Sequence, residues 1–335
     1  MIWFYCASLL PFVLIMGGVL FGGAWSWAAL ITITLGAAVL DVMRYRPNAP
    51  HKTSGSLLLA LVGASHFSTL LLVLARIPDV PLAEALPLAL AAALAFGQIS
   101  HPAAHEMIHN SARPLRHLGR AVYGSLLLGH HASAHMRVHH VHVGTDQDPN
   151  SAPRGMGFYR FFLRAWIGSF LAGAQAETTA RRRQSPSPHW LTHPYVGHFL
   201  WAALTLSVAG FSGPFGLIAC LGICLYAQAQ VFLADYVQHY GLRRAIRSVG
   251  KPEPVGPQHS WNAPHWYSAA MMLNAPRHSH HHMAPRTPFP ALELTPQMPT
   301  LPYSLPVMAV IALVPPVWRR LMARQINQLG RPRSQ

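Results

Sequence analysis

Residues 83–109 read AEALPLALAAALAFGQISHPAAHEMIH, an apolar run that passes without a break into three histidines. A hydrocarbon core of about 30 Å takes about 20 helical residues, so the stretch 83–102 is expected to span a membrane. Side chains at i and i+4 share a helix face. His105 and His109 therefore point the same way just beyond that span, with His101 a turn earlier. The rest of the chain repeats the pattern: apolar spans that deliver histidines to one membrane face.

Five further stretches have the required length, near 3–22, 24–43, 56–75, 194–211 and 214–234. The first two are joined by Gly22-Gly23 and the last two by Ser212-Gly213-Pro214, so each pair reads as a helical hairpin. The first stretch lacks a positive leading segment and runs straight into the second, which makes it a retained span rather than a signal peptide. Composition agrees. Of 335 residues 51% are apolar and only 10% charged, against about 25% charged in soluble domains, too few to coat a soluble globule. The expected fold is all-α, a six-transmembrane-helix bundle with a cytoplasmic histidine-rich cap. It forms one membrane domain over 1–335: four spans in 1–102, a cytoplasmic segment 103–193, two spans in 194–234, and a second cytoplasmic segment 235–335. Within the cap, 118–129 and 158–174 are expected as interfacial helices. The run 302–317, broken by Pro306, Pro315 and Pro316, is expected to rest on the membrane face, and 331–335 to form a disordered tail.

Charge orients the bundle. With the N-terminus inside, Arg76 alone of the 25 Lys and Arg residues falls in an outer loop; Arg44, Arg46 and Lys52 lie in the first inner loop. That is the positive-inside distribution. The basic excess over 10 Asp and Glu thus reads as contact with lipid headgroups rather than nucleic acid, for which aromatic-basic interleaving is missing. Cys6, Cys220 and Cys224 lie in apolar runs without a CxxC pair, which excludes a disulfide framework, a zinc ribbon or a built-in rubredoxin-type iron site.

Histidine is the outlier, at 22 residues. Besides His105 and His109 there are His135-Met-Arg-Val-His139-His140, followed by His142, then His239, then His278-Ser-His280-His281-His282. All fall just inside the membrane face on this topology. Neutral imidazoles suit iron, copper, zinc or nickel, not magnesium or calcium, and this many exceed the needs of one ion. They suggest two metals. Isolated histidines read otherwise: His66 and His198 as satisfied residues within spans, His51, His117, His189 and His193 as headgroup-level surface residues, while His130, His131 and His142 stay unassigned. His105-Glu106-Met-Ile-His109 also satisfies HExxH, in which Glu106 would be the general base of a zinc metalloprotease. That reading leaves the remaining clusters without a role. A non-enzymatic metal-binding protein is a third reading.

Taken in order, the clusters resemble the integral-membrane alkane monooxygenase family, related to xylene monooxygenase and more distantly to the fatty acid desaturases. The resemblance runs from about residue 95 to 325. His105–His109 is similar to the family's HELxH box, and His135–His140 with the following Asp148-Pro149 to its EHxxGHH box and VAT-x-x-DP stretch. Tyr236-Val-Gln-His239-Tyr-Gly-Leu is similar to NYxEHYGL, His259-Ser-Trp-Asn262-Ala-Pro-His265 to HSWNxxH, and Arg277–His282 to RHSxHH. Ala312-Leu-Val-Pro-Pro-Val-Trp318 is similar to the closing segment. The three residues between His135 and His139, and the HYG box, favour the alkane-hydroxylase branch over a desaturase or lipid hydroxylase on the same scaffold.

The resemblance implies nine iron ligands: His105, His109, His135, His139, His140, His239, His278, His281 and His282. It implies supporting roles for Glu106, Asp148, His259, Asn262 and His265. It further implies two Fe ions, O2 as co-substrate, an apolar substrate from the bilayer, an external rubredoxin or ferredoxin with its reductase, and a bacterial inner membrane with the boxes on the cytoplasmic side. The basic residues Arg113, Arg116, Arg120, Arg181 to Arg183, Arg243 and Arg244 would steer such a donor or contact headgroups. Three positions depart from the pattern. Ala134 and Gln238 stand where the family has Glu, and His280 where an acidic residue is common.

Overall fold

A computed structural model describes residues 1–43, 53–247 and 250–329. Arg44, Arg46, His51 and Lys52 of the first inner loop and the tail 331–335 lie outside the described residues. The described residues are helical, with no strand among them.

Helices α1 (Ile2–Phe21) and α2 (Ala24–Val42) form the expected hairpin. Gly22 and Gly23 reverse the chain at φ of 68° and 52°, a region that L side chains with a Cβ enter only at a cost. Helices α3 (Ser56–Arg76) and α4 (Leu82–His109) follow. Amphipathic α5 (Arg113–Ser125) leads to α6 (residues 130–142), against which α7 (Phe158–Gln184) packs. A second hairpin, α8 (Pro194–Phe211) and α9 (Gly213–His239), turns on Gly213. Short α10 (Trp266–Met271) and α11 (His278–Met283) precede α12 (Leu305–Ala312) and α13 (Pro315–Leu329).

By length and composition α1, α2, α3 with its extension to Asp79, α4 and α9 suit a membrane. Large apolar side chains face outward from them, including Val42, Leu82 and Phe215. The sequence leads one to expect six spans. The sixth, α8, forms over the expected 18 residues, but Pro194, Tyr195, Gly197 and His198 dilute its first turns, and it does not join the five. Helices α4 and α9 also run past the expected ends at 102 and 234, to His109 and His239. Each thus delivers its histidines on the same rigid rod that crosses the apolar layer.

The cap is fastened by a few specific contacts. Asp41 Oδ1, near the end of α2, accepts from the backbone N–H of Tyr267 (3.0 Å) and Ser268 (2.9 Å) at the start of α10, satisfying amides that a helix N-terminus leaves open. Fully buried Trp318 of α13 packs on Tyr236 and Tyr240, each at 5.3 Å between centroids. His66 bonds Ser100 (3.0 Å) and Ser125 (2.8 Å), and His198 bonds Ser133 (3.2 Å). Both lone histidines are satisfied, as the sequence suggests. Helix α5 lies so close to α4 that a Cβ on Gly119 would come within 2.7 Å of Met107 Cβ and 2.8 Å of the Ala104 carbonyl.

Gly119→Val is therefore expected to push α5 off the histidine-bearing end of α4, costing about 1–3 kcal/mol as overpacking does. A clear fall in Tm in detergent, measured against the parent chain, checks this; an unchanged Tm contradicts the packing.

Candidate metal centre

The histidines of α4, α6, α9 and α11 meet at one place. Ligand nitrogens of His105, His109, His135, His140 and His281 lie within 4.8 Å of one another, and those of His139, His239, His278 and His282 form an equally tight second group. The two groups adjoin, with the rings of His140 and His282 only 4.6 Å apart.

Local backbone geometry makes the division. His105 and His109 stand one α-turn apart and share the first group, and His278 and His282 likewise share the second. His281, three residues after His278, projects from a different side of α11 and joins the first. Residues His135–His139 form a π-helical turn, which is wider than an α-turn and recurs at functional sites. The i and i+5 residues His135 and His140 therefore converge, Nε2 to Nε2 at 2.9 Å, while His139 turns to the second group. An α-turn would have paired His135 with His139.

The donor set fits a metal. In the first group Nε2 atoms face one another along His109, His135, His140 and His281 at 3.1, 2.9 and 3.1 Å. In the second, His278 Nε2 lies 3.0 Å from His239 Nε2 and 3.1 Å from His282 Nε2. Metal–imidazole bonds of about 2.0–2.1 Å, as for zinc, place neighbouring donors about 3 Å apart when they subtend a right angle. A neutral imidazole has one N–H to share, so these chains of nitrogens cannot all be satisfied by hydrogen bonds. His105 Nε2 and His139 Nε2 are buried with no protein hydrogen-bond partner at all. For His135, His140, His278, His281 and His282, burial first and the neighbouring imidazoles second hold the pKa well below the usual histidine value. These five rings are neutral at pH 7, the form that binds metal.

His139 is different. Its Nδ1 lies 2.9 Å from Asp148 Oδ2. Burial lowers its pKa, but the Asp148 charge and hydrogen bond outweigh that and raise it. Burial in turn raises Asp148, and His139 with the Ser151 hydroxyl brings it below the usual carboxylate range. Asp148 also accepts from the Asn150 backbone at 3.0 Å, so it both caps its turn and orients a histidine.

Other expected residues sit farther out. Asn262 donates to Ser260 O, Ser279 Oγ and Pro299 O and accepts from the Ser279 N–H, which pins α11 to the 257–262 loop. The His259 side chain bonds Glu253 (3.0 Å) and the Gly256 N–H (2.8 Å). His265 stands immediately before α10. Glu106 Oε2 accepts from the Phe289 N–H at 3.0 Å. Through that oxygen it anchors a cap loop. At the departures, Ala134 packs against Gly173, and Gln238 Nε2 donates to Ala275 O at 3.1 Å, just before α11.

One residue at the site escaped the sequence reading, and two that it named without a role also lie there. Asp235, one turn before His239 and buried, accepts from Asn150 Nδ2 at 2.6 Å. A carboxylate inside an apolar helix is the signal that marks it. His101, bonded to Tyr123 OH at 2.9 Å, and buried His131 flank the first group.

Comparison with known proteins agrees with this architecture. The fatty acid desaturase family profile matches residues 81–310, and the chain belongs to that family. It is similar to alkane 1-monooxygenase 1 of Pseudomonas aeruginosa, 29% identical over 69% of this chain and 61% of the relative. It is 30% identical to alkane 1-monooxygenase 2 of the same organism over 69% and 62%. The chain thus spans about three-fifths of the length of these relatives. Likeness to the xylene/toluene monooxygenase hydroxylase component of Pseudomonas putida, 28% identical, extends over 94% of this chain and 87% of the relative.

Two outcomes follow. Asp148→Asn is expected to weaken metal binding by the four-histidine group about 10- to 100-fold, as loss of a ligand-orienting carboxylate does, with the five-histidine group unaffected; metal titration of the purified variant measures both. Because pKa values held below the usual histidine value keep His135, His140 and His281 neutral as pH falls, metal in the five-histidine group is expected to be retained at pH 6.5 and released on further acidification. Release between pH 8 and 7 would contradict that.

Proposed function

We propose that this chain is a membrane di-iron monooxygenase that hydroxylates an apolar substrate, the terminal methyl of an alkane or a similar alkyl chain. The observation that carries the reading is the pair of adjoining histidine groups at the ends of α4 and α9. Likeness to alkane and xylene/toluene monooxygenases supports it. Iron suits an all-imidazole donor set, and bound iron would supply O2 activation and oxidation of an unactivated C–H bond.

The protein's own contribution is binding, orientation and exclusion of water. Five histidines would hold one iron and four the other, with Asp148 fixing His139 and Asn262 fixing α11. An apolar groove of about 590 Å³ lies between α4 and α9, lined by residues such as Leu86, Leu90, Phe215, Ile218 and Tyr226. It gives a bilayer-dissolved chain a surface on the two helices that lead to the histidines. The positive-inside count favours six crossings, α8 included, with the histidine cap on the cytoplasmic side of a bacterial inner membrane.

Electrons would come from a separate rubredoxin or ferredoxin and its reductase. Arg116, Arg181 and Arg244 are committed to backbone carbonyls, and Arg243 pairs with Asp146 at 2.8 Å. Arg113, Arg120, Arg182 and Arg183 are exposed and make the better steering surface for an acidic donor. A zinc protease reading is disfavoured, because it leaves the second, four-histidine group without a role.

Cells making the chain together with a rubredoxin and its reductase are expected to convert octane to 1-octanol with incorporation of one atom of labelled O2. His139→Ala should abolish the product. Absence of any O2-dependent product across octane, dodecane and toluene would sink the reading.

A further inference from the structure

The turn that carries Asp148 is gripped from behind by Arg164 of α7. Its Nη2 donates to the carbonyls of Pro149 (2.8 Å) and Ser151 (2.6 Å), with the Asp148 carbonyl at 3.5 Å. Arg164 is half-buried and enters no ion pair among the described residues. A cation drawn partly out of water needs partners, and here they are the backbone acceptors of one turn. Gly168, one helical turn further along α7 on the same face, reinforces the contact: a Cβ there would come within 2.9 Å of Pro149 Cβ. From the opposite side Asn150 Nδ2 donates to Asp235 Oδ2 of α9 at 2.6 Å. Inside the turn Asp148 accepts from the Asn150 N–H (3.0 Å) and the Ser151 hydroxyl (2.7 Å), and Ser151 Oγ accepts from the Gly144 N–H (2.8 Å). The turn is thus clamped between α7 and α9, and Asp148 passes its position on to His139 Nδ1 at 2.9 Å.

We propose that Arg164 is a positioning residue for the four-histidine group, fixing the 148–151 turn so that Asp148 holds the His139 ring in register for metal. The inference concerns metal binding by that group and stands whichever reaction follows. A guanidinium presents its donors in a rigid planar fork, whereas a lysine ammonium is a compact point charge on a flexible stem. Arg164 therefore sets the direction of the carbonyls it grips as well as their distance. Without it Asp148 keeps its two bonds inside the turn, but the turn as a body is free to drift from α7. A drift beyond about 0.5 Å is enough to spoil a ligand constellation. Arg164 touches none of the nine histidines, so its whole effect on His139 runs through Asp148.

The test titrates cobalt(II), followed by its visible absorption, into the full metal-free chain in lipid nanodiscs. Arg164→Gln is expected to weaken the four-histidine phase about tenfold, the scale for loss of an outer support of a ligand, and to leave the five-histidine phase unchanged. Arg164→Lys should recover part of the loss. Gly168→Ala, which presses on Pro149 from the same helix face, should weaken the same phase severalfold and serves if the Gln variant does not fold. The double variants decide the route. Groups that act along one chain of contacts are not additive, so Arg164→Gln with Asp148→Asn, or Gly168→Ala with Asp148→Asn, should bind no more weakly than Asp148→Asn alone. Losses that add in these pairs would overturn the inference and leave Arg164 a general stabiliser of α7. So would equal weakening of both phases, or a four-histidine phase that neither Arg164→Gln nor Gly168→Ala alters. Octane oxidation is a separate readout, whose failure beside the expected titrations counts against the proposed function alone.

Discussion

Imidazole nitrogens that face one another at 2.9–3.1 Å must share either a proton or a cation, and that constraint governs the rest of this molecule. One N–H per neutral ring cannot serve chains of three and four such nitrogens. Protonating several would stack like charges where water cannot screen them. Multivalent metal resolves the conflict. The scaffold's task is then to hold nine rings in place against their mutual repulsion before metal arrives. It does so with long helices whose outer halves are anchored in an apolar layer, and with a cap stapled by Asp41, Asn262 and Glu106.

Few carboxylates temper that centre. The family's two glutamates are replaced by Ala134, packed against Gly173, and by Gln238, bonded to Ala275. What remains is a short buried line of Asp148 and Asp235 bridged by Asn150, whose backbone N–H meets one and whose side chain meets the other. Negative charge is thereby delivered from behind His139 and from the α9 side. Metals held there would keep more of their positive charge than in a carboxylate-rich shell.

Much of this was legible in the sequence. Spans and boxes follow from apolar length and from i, i+4 spacing, which depend on local geometry alone. The division of the boxes between two groups does not. It turns on a π-turn at His135–His139 that no residue type announces, and on His281 leaving the side of α11 used by His278 and His282. The bond from the Phe289 N–H to Glu106 could not be read from HExxH, a local pattern, because Phe289 is far away in sequence. Asp235 was visible as a lone acid in an apolar run but stood one residue outside the recognised box. The sixth expected span forms as helix α8, while Tyr195 and His198 in its first turns keep it outside the five helices that suit a membrane by length and composition.

The central claim is that two separate all-histidine groups each hold an iron. X-ray absorption on the purified, iron-reconstituted chain, with metal counted per protein, tests it most directly. The account expects two irons per chain with first shells dominated by imidazole nitrogen, falling to about one when His239 and His278 are both replaced by alanine. A single zinc per chain, or an iron shell dominated by carboxylate oxygen, would contradict it.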